Sequence, residues 1–484
     1  MKKTDTITTR HTPFLKFKKL YTKNTLLLLL ILVIAASLRL YNLKYSVGFD
    51  FDQEYAATFA NTIINIYPIQ MIGQGLSVQG LFMGPWYFYY LVPFFFLTHL
   101  NPIGGYIASV ILGLLTVIAY YIVGRQVFGE KTALLLAFFR AILFTTIQAD
   151  WTMAPSYSSE LALLLTWWLL YKYWKGNSAA LLGIGFLAGL YTSFHPILFP
   201  VYVVIFVIVC IKWRQLKIKN VFLSIILFIL PLVPLIAFEY FHNFLELKLL
   251  FSLSHTNKSE AKDFQALLAY IKLIFYFPYT YLSLPNNPLL ENIYSFIALM
   301  GVLFACVRKL GFWKDNFHRI VIILFPITTL FYYYVLPVHA PDYYFLSAQW
   351  IYLLYVFATF GLLLQNRKLM WTVIGFVIII FCFNIQLVYM KWQSPQATFG
   401  NKEDVINYIV SHAKNSQYNL SYIVGPGEQY GYGYLVRYFT NRYQYVANNM
   451  PAKYSYTVFF PAEGATGKIA YKSGDIAVMV TKNK

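Results

Sequence analysis

Uncharged apolar runs long enough to cross a lipid bilayer recur along most of this chain, and nothing else in the sequence constrains its fold as tightly. Residues 26–38, 103–123 and 371–389 carry no charged side chain. A helix rising ~1.5 Å per residue needs about 20 residues to cross a hydrocarbon core of ~30 Å. Inside lipid every backbone N–H and C=O must find a partner within the segment, so such runs fold as helices. Composition agrees. Of the 484 residues 59% are hydrophobic and mean hydropathy is +0.56, where soluble domains hold about 45–50% apolar residues. The chain reads as an all-α polytopic membrane protein.

The formal charge of +19 raises the possibility of a nucleic-acid partner, and its distribution excludes one. Lys2, Lys3, Arg10, Lys16, Lys18, Lys19 and Lys23 precede the first apolar run, and other cations cluster in 125–131, 172–175, 212–219, 308–319 and 367–368. Short basic loops between spans follow the positive-inside rule, not a basic binding face. They assign the N-terminus and these loops to the cytoplasm. The first run reads as a retained span: its basic lead is long, and no small-x-small site follows it.

Counting spans between the basic loops gives a consistent parity only if 81–97 does not cross. That stretch, "LFMGPWYFYYLVPFFFL", has the Trp and Tyr of an interfacial segment, with Pro85 and Pro93 interrupting it. Eleven spans remain, near 25–41, 104–123, 132–148, 158–172, 178–194, 197–211, 220–238, 289–307, 320–337, 343–364 and 370–389. Residues 44–103 become one long outer loop with surface helices at about 53–66 and 84–98. A second outer loop covers 239–288, where 264–284 is a further candidate surface helix.

Three units follow. Residues 1–24 form a basic cytoplasmic N-terminus, 25–389 the transmembrane domain, and 390–484 a small extracytoplasmic α/β domain. In that tail Val405, Ile406, Ile409 and Val410 fall at helical spacing, while 420–425, 456–460 and 476–480 read as strands. "GPGEQYGYGY" (425–434) lacks a Walker lysine and reads as a loop. Cys210, Cys306 and Cys382 all fall in apolar segments and read as small buried residues.

Three acids stand just after the first span in "VGFDFDQEYAATFANTII" (47–64). Asp50, Asp52 and Glu54 are framed by Phe49, Phe51, Tyr55 and Phe59. The loop places carboxylates at the lipid–water boundary, where a lipid-linked substrate presents its head group. A positioned carboxylate there suits deprotonation of an acceptor hydroxyl, and a phosphate leaving group wants cationic donors. Outer-face cations are Arg39, His242, His255, Lys258 and Lys262. Asp150 is the next acid, on the second outer loop. Arg140 falls inside a span, where a charge faces a cavity or a partner. His195 before Pro196 reads as a turn histidine, Glu239 and His242 share a helix face, and His339 and Asp342 flank Pro341.

"DFDQEYAATFANTII", "GLFMGPWYFYYLVPFFF" and the span closing on "GRQVFG" resemble the front of family 39 glycosyltransferases and their Rgt-like relatives. "FEYFHNFLELK" and "PDYYFLSAQWIYLL" resemble later segments of the same proteins. The likeness is strongest over 39–130 and patchy to about 365. It implies the GT-C class: integral membrane transferases that use lipid-phosphate sugars, with a first-loop acid as the proposed base. Asp52 in "DQEY" matches that acid, and Asp50 and Glu54 would support it or bind a divalent cation. Tyr55 stands where the family usually carries Arg. The resemblance implies an inverting transfer from a polyprenyl-phosphate sugar to a glycan, lipid or protein hydroxyl, at the outer face of the cell membrane. The alternatives are a transporter or flippase of a lipid-linked saccharide, or an inactive relative that only binds one. A transporter would place its ionisable residues at mid-membrane and show broken-helix repeats.

Overall fold

A computed structural model describes residues 23–76, 78–256, 264–275, 288–335, 341–393, 397–414, 416–440, 445 and 450–483. Helix α1 (Lys23–Leu40) leads into two helices of the first predicted loop, α2 (Phe51–Asn65) and α3 (Trp86–Leu97). The bundle continues with α4 (Ile103–Val127), α5 (Glu130–Ile142), α6 (Phe144–Trp151), α7 (Glu160–Trp174), α8 (Ala180–Leu190), α9 (Phe199–Ile211) and α10 (Ile218–Phe241). After α11 (Leu245–Thr256) and α12 (Phe264–Phe275) come α13 (Pro288–Val307), α14 (Asn316–Val335), α15 (Leu346–Leu363) and α16 (Arg367–Gln393). Among the described residues each of the eleven predicted spans falls mainly on helix. Six helices among the described residues are long and apolar enough to cross a membrane, or seven if α5 and α6 form one bent span. The protein is a multi-pass membrane protein.

The basic loops gather at one end of the bundle. There Lys175 pairs with Asp315 at 2.7 Å, Lys212 sits over the Trp174 ring, and Phe128 packs on Phe312. Asp52 lies at the opposite end, with the 73–84 hairpin, the 191–198 turn and the 341–345 turn. Phe82 of that hairpin packs on Phe238 of α10, and Gly84 N–H donates to the Thr192 carbonyl.

One predicted span is not continuous. Residues 132–148 break at Leu143, which is extended (φ −64°, ψ 127°), and α5 and α6 meet at a 60° bend. Several backbone groups freed by the break find new partners. Arg39 donates to the carbonyls of Ala141 (2.7 Å) and Arg140 (3.1 Å). Phe144 N–H donates to Asn384 Oδ1 of α16 at 2.7 Å. A broken helix survives at membrane depth only with such replacements.

After the bundle the chain forms α17 (Phe399–Ala413), β1 (Tyr418–Val424), α18 (Tyr432–Phe439), β2 (Tyr454–Phe460), β3 (Ile469–Ser473) and β4 (Ile476–Lys482). The sheet order is β1-β2-β4-β3, with β1 and β2 parallel and the other pairs antiparallel. Val405, Ile406 and Ile409 of α17 are buried, as their spacing predicts. Strand β3 escapes the sequence reading because it is an edge strand with no buried residue. The predicted loop 425–434 turns helical from Tyr432. The cysteines also differ from expectation: Cys210 and Cys382 are exposed on the bundle surface and only Cys306 is partly covered.

Candidate functional site

Asp50 N-caps α2, and its N–H is held by Gln53 Oε1 at 3.0 Å. Asp52 and Glu54 fall in the first turn, where the helix N-terminus favours carboxylates. At 3.6 residues per turn two positions two apart diverge by about 200°, so Asp52 and Glu54 point to opposite sides of α2. Gln74 Nε2 donates to Asp52 Oδ1 at 2.6 Å. The second oxygen of Asp52 has no hydrogen-bond partner among the described residues. Gln74 is itself fixed by the hairpin, where Met83 N–H donates to its carbonyl (2.9 Å) and Leu76 pairs with Leu81.

An aromatic wall stands on this side. The Tyr157 and Tyr343 rings lie 6.3 Å apart, and His195 contacts Tyr343 and Tyr344. Burial pushes the Tyr157 hydroxyl above its ordinary range, and the charges of Asp52 and Asp342 push it further. His195 is a turn histidine, as its place before Pro196 predicts. Its Nδ1 accepts from Ile197 N–H at 3.3 Å, and burial lowers its pKa to about 4. The imidazole is therefore neutral near neutral pH, with its proton on Nε2.

The other two acids of the loop face the C-terminal elements. Asp50 accepts from Lys402 Nζ at 2.8 Å. Glu54 accepts from the N–H groups of Gly431 (2.8 Å) and Tyr434 (2.6 Å), capping the N-terminus of α18 from outside. Gly431 has φ +89°, and a Cβ there would overlap the Phe49 carbonyl oxygen, so only glycine lets the two segments meet this closely. Around these contacts Phe49 packs on Phe399 and Tyr434, and Phe51 on Tyr430. Lys44 pairs with Glu403 and Asp404.

Arg39 and Asp150 are corrected most by the structure. Arg39 is fully buried, and its Nε donates to Asp150 Oδ2 at 2.6 Å while its remaining nitrogens hold backbone carbonyls. It has no surface to offer a phosphate. Asp150 lies in α6, buried, not on an open loop. Arg140 grips it through both Nη atoms (2.7 and 2.8 Å) and reaches Glu160 Oε2 through Nε at 2.8 Å. Tyr120 adds a bond to Glu160 Oε1. Two guanidinium groups and two carboxylates thus balance inside the bundle, which explains a charge at Arg140. A Cβ on Gly113 would overlap the Asp150 carboxylate.

In the second predicted loop Glu239 does not pair with His242. It accepts from the N–H groups of Glu246 and Leu247, capping α11. His242 is exposed, stacked on Phe238 and bonded through Nδ1 to the Phe238 carbonyl at 2.8 Å. His255 lies in the last turn of α11. Lys258, Lys262 and His339 lie outside the described residues. No group of three or more His, Cys, Asp or Glu among the described residues is arranged to hold a metal ion. Asp50 and Glu54, the expected cation ligands, are bonded to Lys402 and to α18.

Sequence reasoning missed Gln74, Tyr157, Tyr343 and Lys402. Only Lys402 left a signal: it falls on the same helical stripe as Val405, Ile406 and Ile409.

This helical bundle, with α2 and α3 in its first loop and an α/β unit seated on that loop, has a fold of the GT-C type. Residues 83–238 match the family model described as dolichyl-phosphate-mannose-protein mannosyltransferase. The chain is similar to ArnT from Cupriavidus metallidurans in the apo state, with TM-score 0.59 and 11% identity over 95% of this chain and 98% of that one. It is similar to the same protein bound to undecaprenyl phosphate, with TM-score 0.52 and 12% identity over 93% and 97%. The Archaeoglobus fulgidus oligosaccharyltransferase tethered with an acceptor peptide gives TM-score 0.51 and 13% identity over 84% of this chain and 62% of that one. At these identities the likeness is one of fold. No curated protein sequence matches the chain.

Proposed function

We propose that this protein is an inverting glycosyltransferase that moves a sugar from a polyprenyl-phosphate donor to a hydroxyl acceptor, with Asp52 as the base. The observation that carries the proposal is the half-free carboxylate of Asp52. One oxygen is held by Gln74 and the other takes no hydrogen bond among the described residues, while Asp50, Glu54 and Asp150 are all paired with protein groups. The fold supports it, since similar structures hold undecaprenyl phosphate or an acceptor peptide.

In this reading the acceptor oxygen attacks the anomeric carbon as its proton passes to the open oxygen of Asp52. The bond from that carbon to the phosphate oxygen breaks, and the lipid phosphate leaves as a stable anion. A single displacement inverts the anomeric centre. Activation of the hydroxyl is the step that needs the protein most, and a general base contributes about 10²–10⁴ in rate. Donor-phosphate contacts fall to His242, His255 and Lys258, with Arg39 withdrawn. In this reading the 390–484 unit and the Asp52 end lie outside the cytoplasm, in keeping with the basic loops at the opposite end.

The test is transfer from a radiolabelled polyprenyl-phosphate sugar by purified protein and its Asp52→Asn variant in detergent. Loss of transfer with retained folding supports the assignment. Undiminished transfer in the variant removes Asp52 as base, and lipid-linked saccharide translocation without transfer removes the enzyme reading.

A further inference from the structure

Asp52 is bracketed by two residues that the C-terminal elements hold. On its N-terminal side the fixing group is Lys402 of α17. Its side chain is fully buried, and its Nζ donates to the Phe49 carbonyl (3.0 Å), Asp50 Oδ1 (2.8 Å) and the Tyr430 carbonyl (3.0 Å). The Glu428 carbonyl lies at 3.4 Å and the Tyr432 ring at 5.2 Å. A buried ammonium is tolerated only when its donors are met. This one is met by the segment entering α2 and by the glycine-rich loop before α18. On the C-terminal side Glu54 holds the N-terminus of α18.

We infer that the C-terminal unit is part of the reaction machinery, with Lys402 as a positioning residue that sets where Asp52 stands. The inference rests on the reading of Asp52 as base. Lys402 touches neither Asp52 nor the open side of α2; it acts by fixing Phe49 and Asp50. Asp52 follows two residues later, in the first turn of a helix whose start is fixed by that contact. A shift of α2 by about 1 Å is enough to cost roughly 10²-fold in a positioned reaction. The geometry thus gives the tail a role in kcat rather than in donor binding, since the bonds it makes to this loop go to Phe49, Asp50 and Glu54.

The experiment compares full-length Lys402→Met, Glu54→Gln and Asp52→Asn proteins in detergent with a polyprenyl-phosphate sugar donor. Lys468→Met, an exposed change in the same unit, is the control. The expected result for Lys402→Met is a fall in kcat of about 10- to 100-fold with KM for the lipid donor changed less than about twofold. Glu54→Gln keeps one acceptor oxygen and is expected to fall less, in the same direction. In the Asp52→Asn background the Lys402→Met change is expected to have little further effect on residual transfer, because both act through one group. Thermal unfolding of each variant reports folding, and Glu54→Gln carries the test if Lys402→Met does not fold. If Asp52→Asn abolishes transfer while folded Lys402→Met and Glu54→Gln keep normal kcat, the positioning role is overturned and the base stands. If Asp52→Asn transfers normally, the base reading fails whatever the Lys402 result.

Discussion

Asp52 and Glu54 stand two residues apart in one helical turn and serve different neighbours. Asp52 takes the Gln74 amide and, among the described residues, keeps an oxygen open, while Glu54 closes the end of α18 through two backbone N–H groups. Charge and burial alone would treat them as equivalents. Removing each should therefore give different losses. Asp52→Ala is expected to lower kcat by about 10²–10⁴ with little change in the unfolding temperature. Glu54→Ala leaves two N–H donors without their acceptor and should destabilise by roughly 1–3 kcal/mol. Thermal unfolding and sugar-transfer rates on the same preparations separate the two effects.

Gln74 should behave as an anchor for Asp52. Gln74→Leu keeps the bulk of the side chain and removes the amide that fixes Oδ1. The carboxylate then samples other rotamers, and kcat is expected to fall about tenfold, part of the larger loss that misplacement of a catalytic group produces. The hairpin backbone bonds do not involve the Gln74 side chain, so folding should be preserved. A normal rate in Gln74→Leu removes the anchor.

Most of the fold was legible in the chain because membrane spans announce themselves by length and lack of charge. The break at Leu143 was not. No proline or glycine marks it, and its partners Arg39 and Asn384 lie about a hundred or more residues away in sequence. The site was legible only as a set of candidates. The 3.6-residue period already separates Asp52 from Glu54, yet which side met the tail depended on how α18 docked. Arg39 illustrates the limit. A cation at a span end reads as a ligand for phosphate until the partners it meets in three dimensions, Asp150 and two freed carbonyls, are known. Lys402 was readable as a charge on an apolar stripe, although its acceptors were not.

The buried ion cluster predicts a stability effect far from the proposed base. Arg140→Met leaves Asp150 with Arg39 alone and strips Glu160 of its cation. Breaking one side of a buried ion pair costs about 3–5 kcal/mol, so a large drop in unfolding temperature is expected. Arg140→Lys should not rescue it, because a single ammonium does not reproduce the two parallel bonds to Asp150 and the third to Glu160. Unfolding in detergent by tryptophan fluorescence measures both variants. An unchanged midpoint in Arg140→Met would mean the cluster contributes nothing to the bundle.

His195 should make stability depend on pH between about 4 and 6.5. Burial lowers its folded pKa from 6.5 to about 4, so the unfolded chain binds the proton more readily throughout that window. Stability linked to this group is then fully present above about pH 6.5 and is lost as pH falls toward 4. The shift corresponds to roughly 3 kcal/mol at the acid end of the window, at about 1.36 kcal/mol per unit. The sign follows from the structure: protonating Nδ1 removes the acceptor for Ile197 N–H and places a charge against Tyr343 and Tyr344. His195→Asn keeps an acceptor at the start of the 196–198 turn without a titrating group. The expected outcome is a flatter profile of unfolding temperature against pH over 4–6.5 than in the parent protein. Identical slopes in the two proteins would show that another group carries the acid sensitivity.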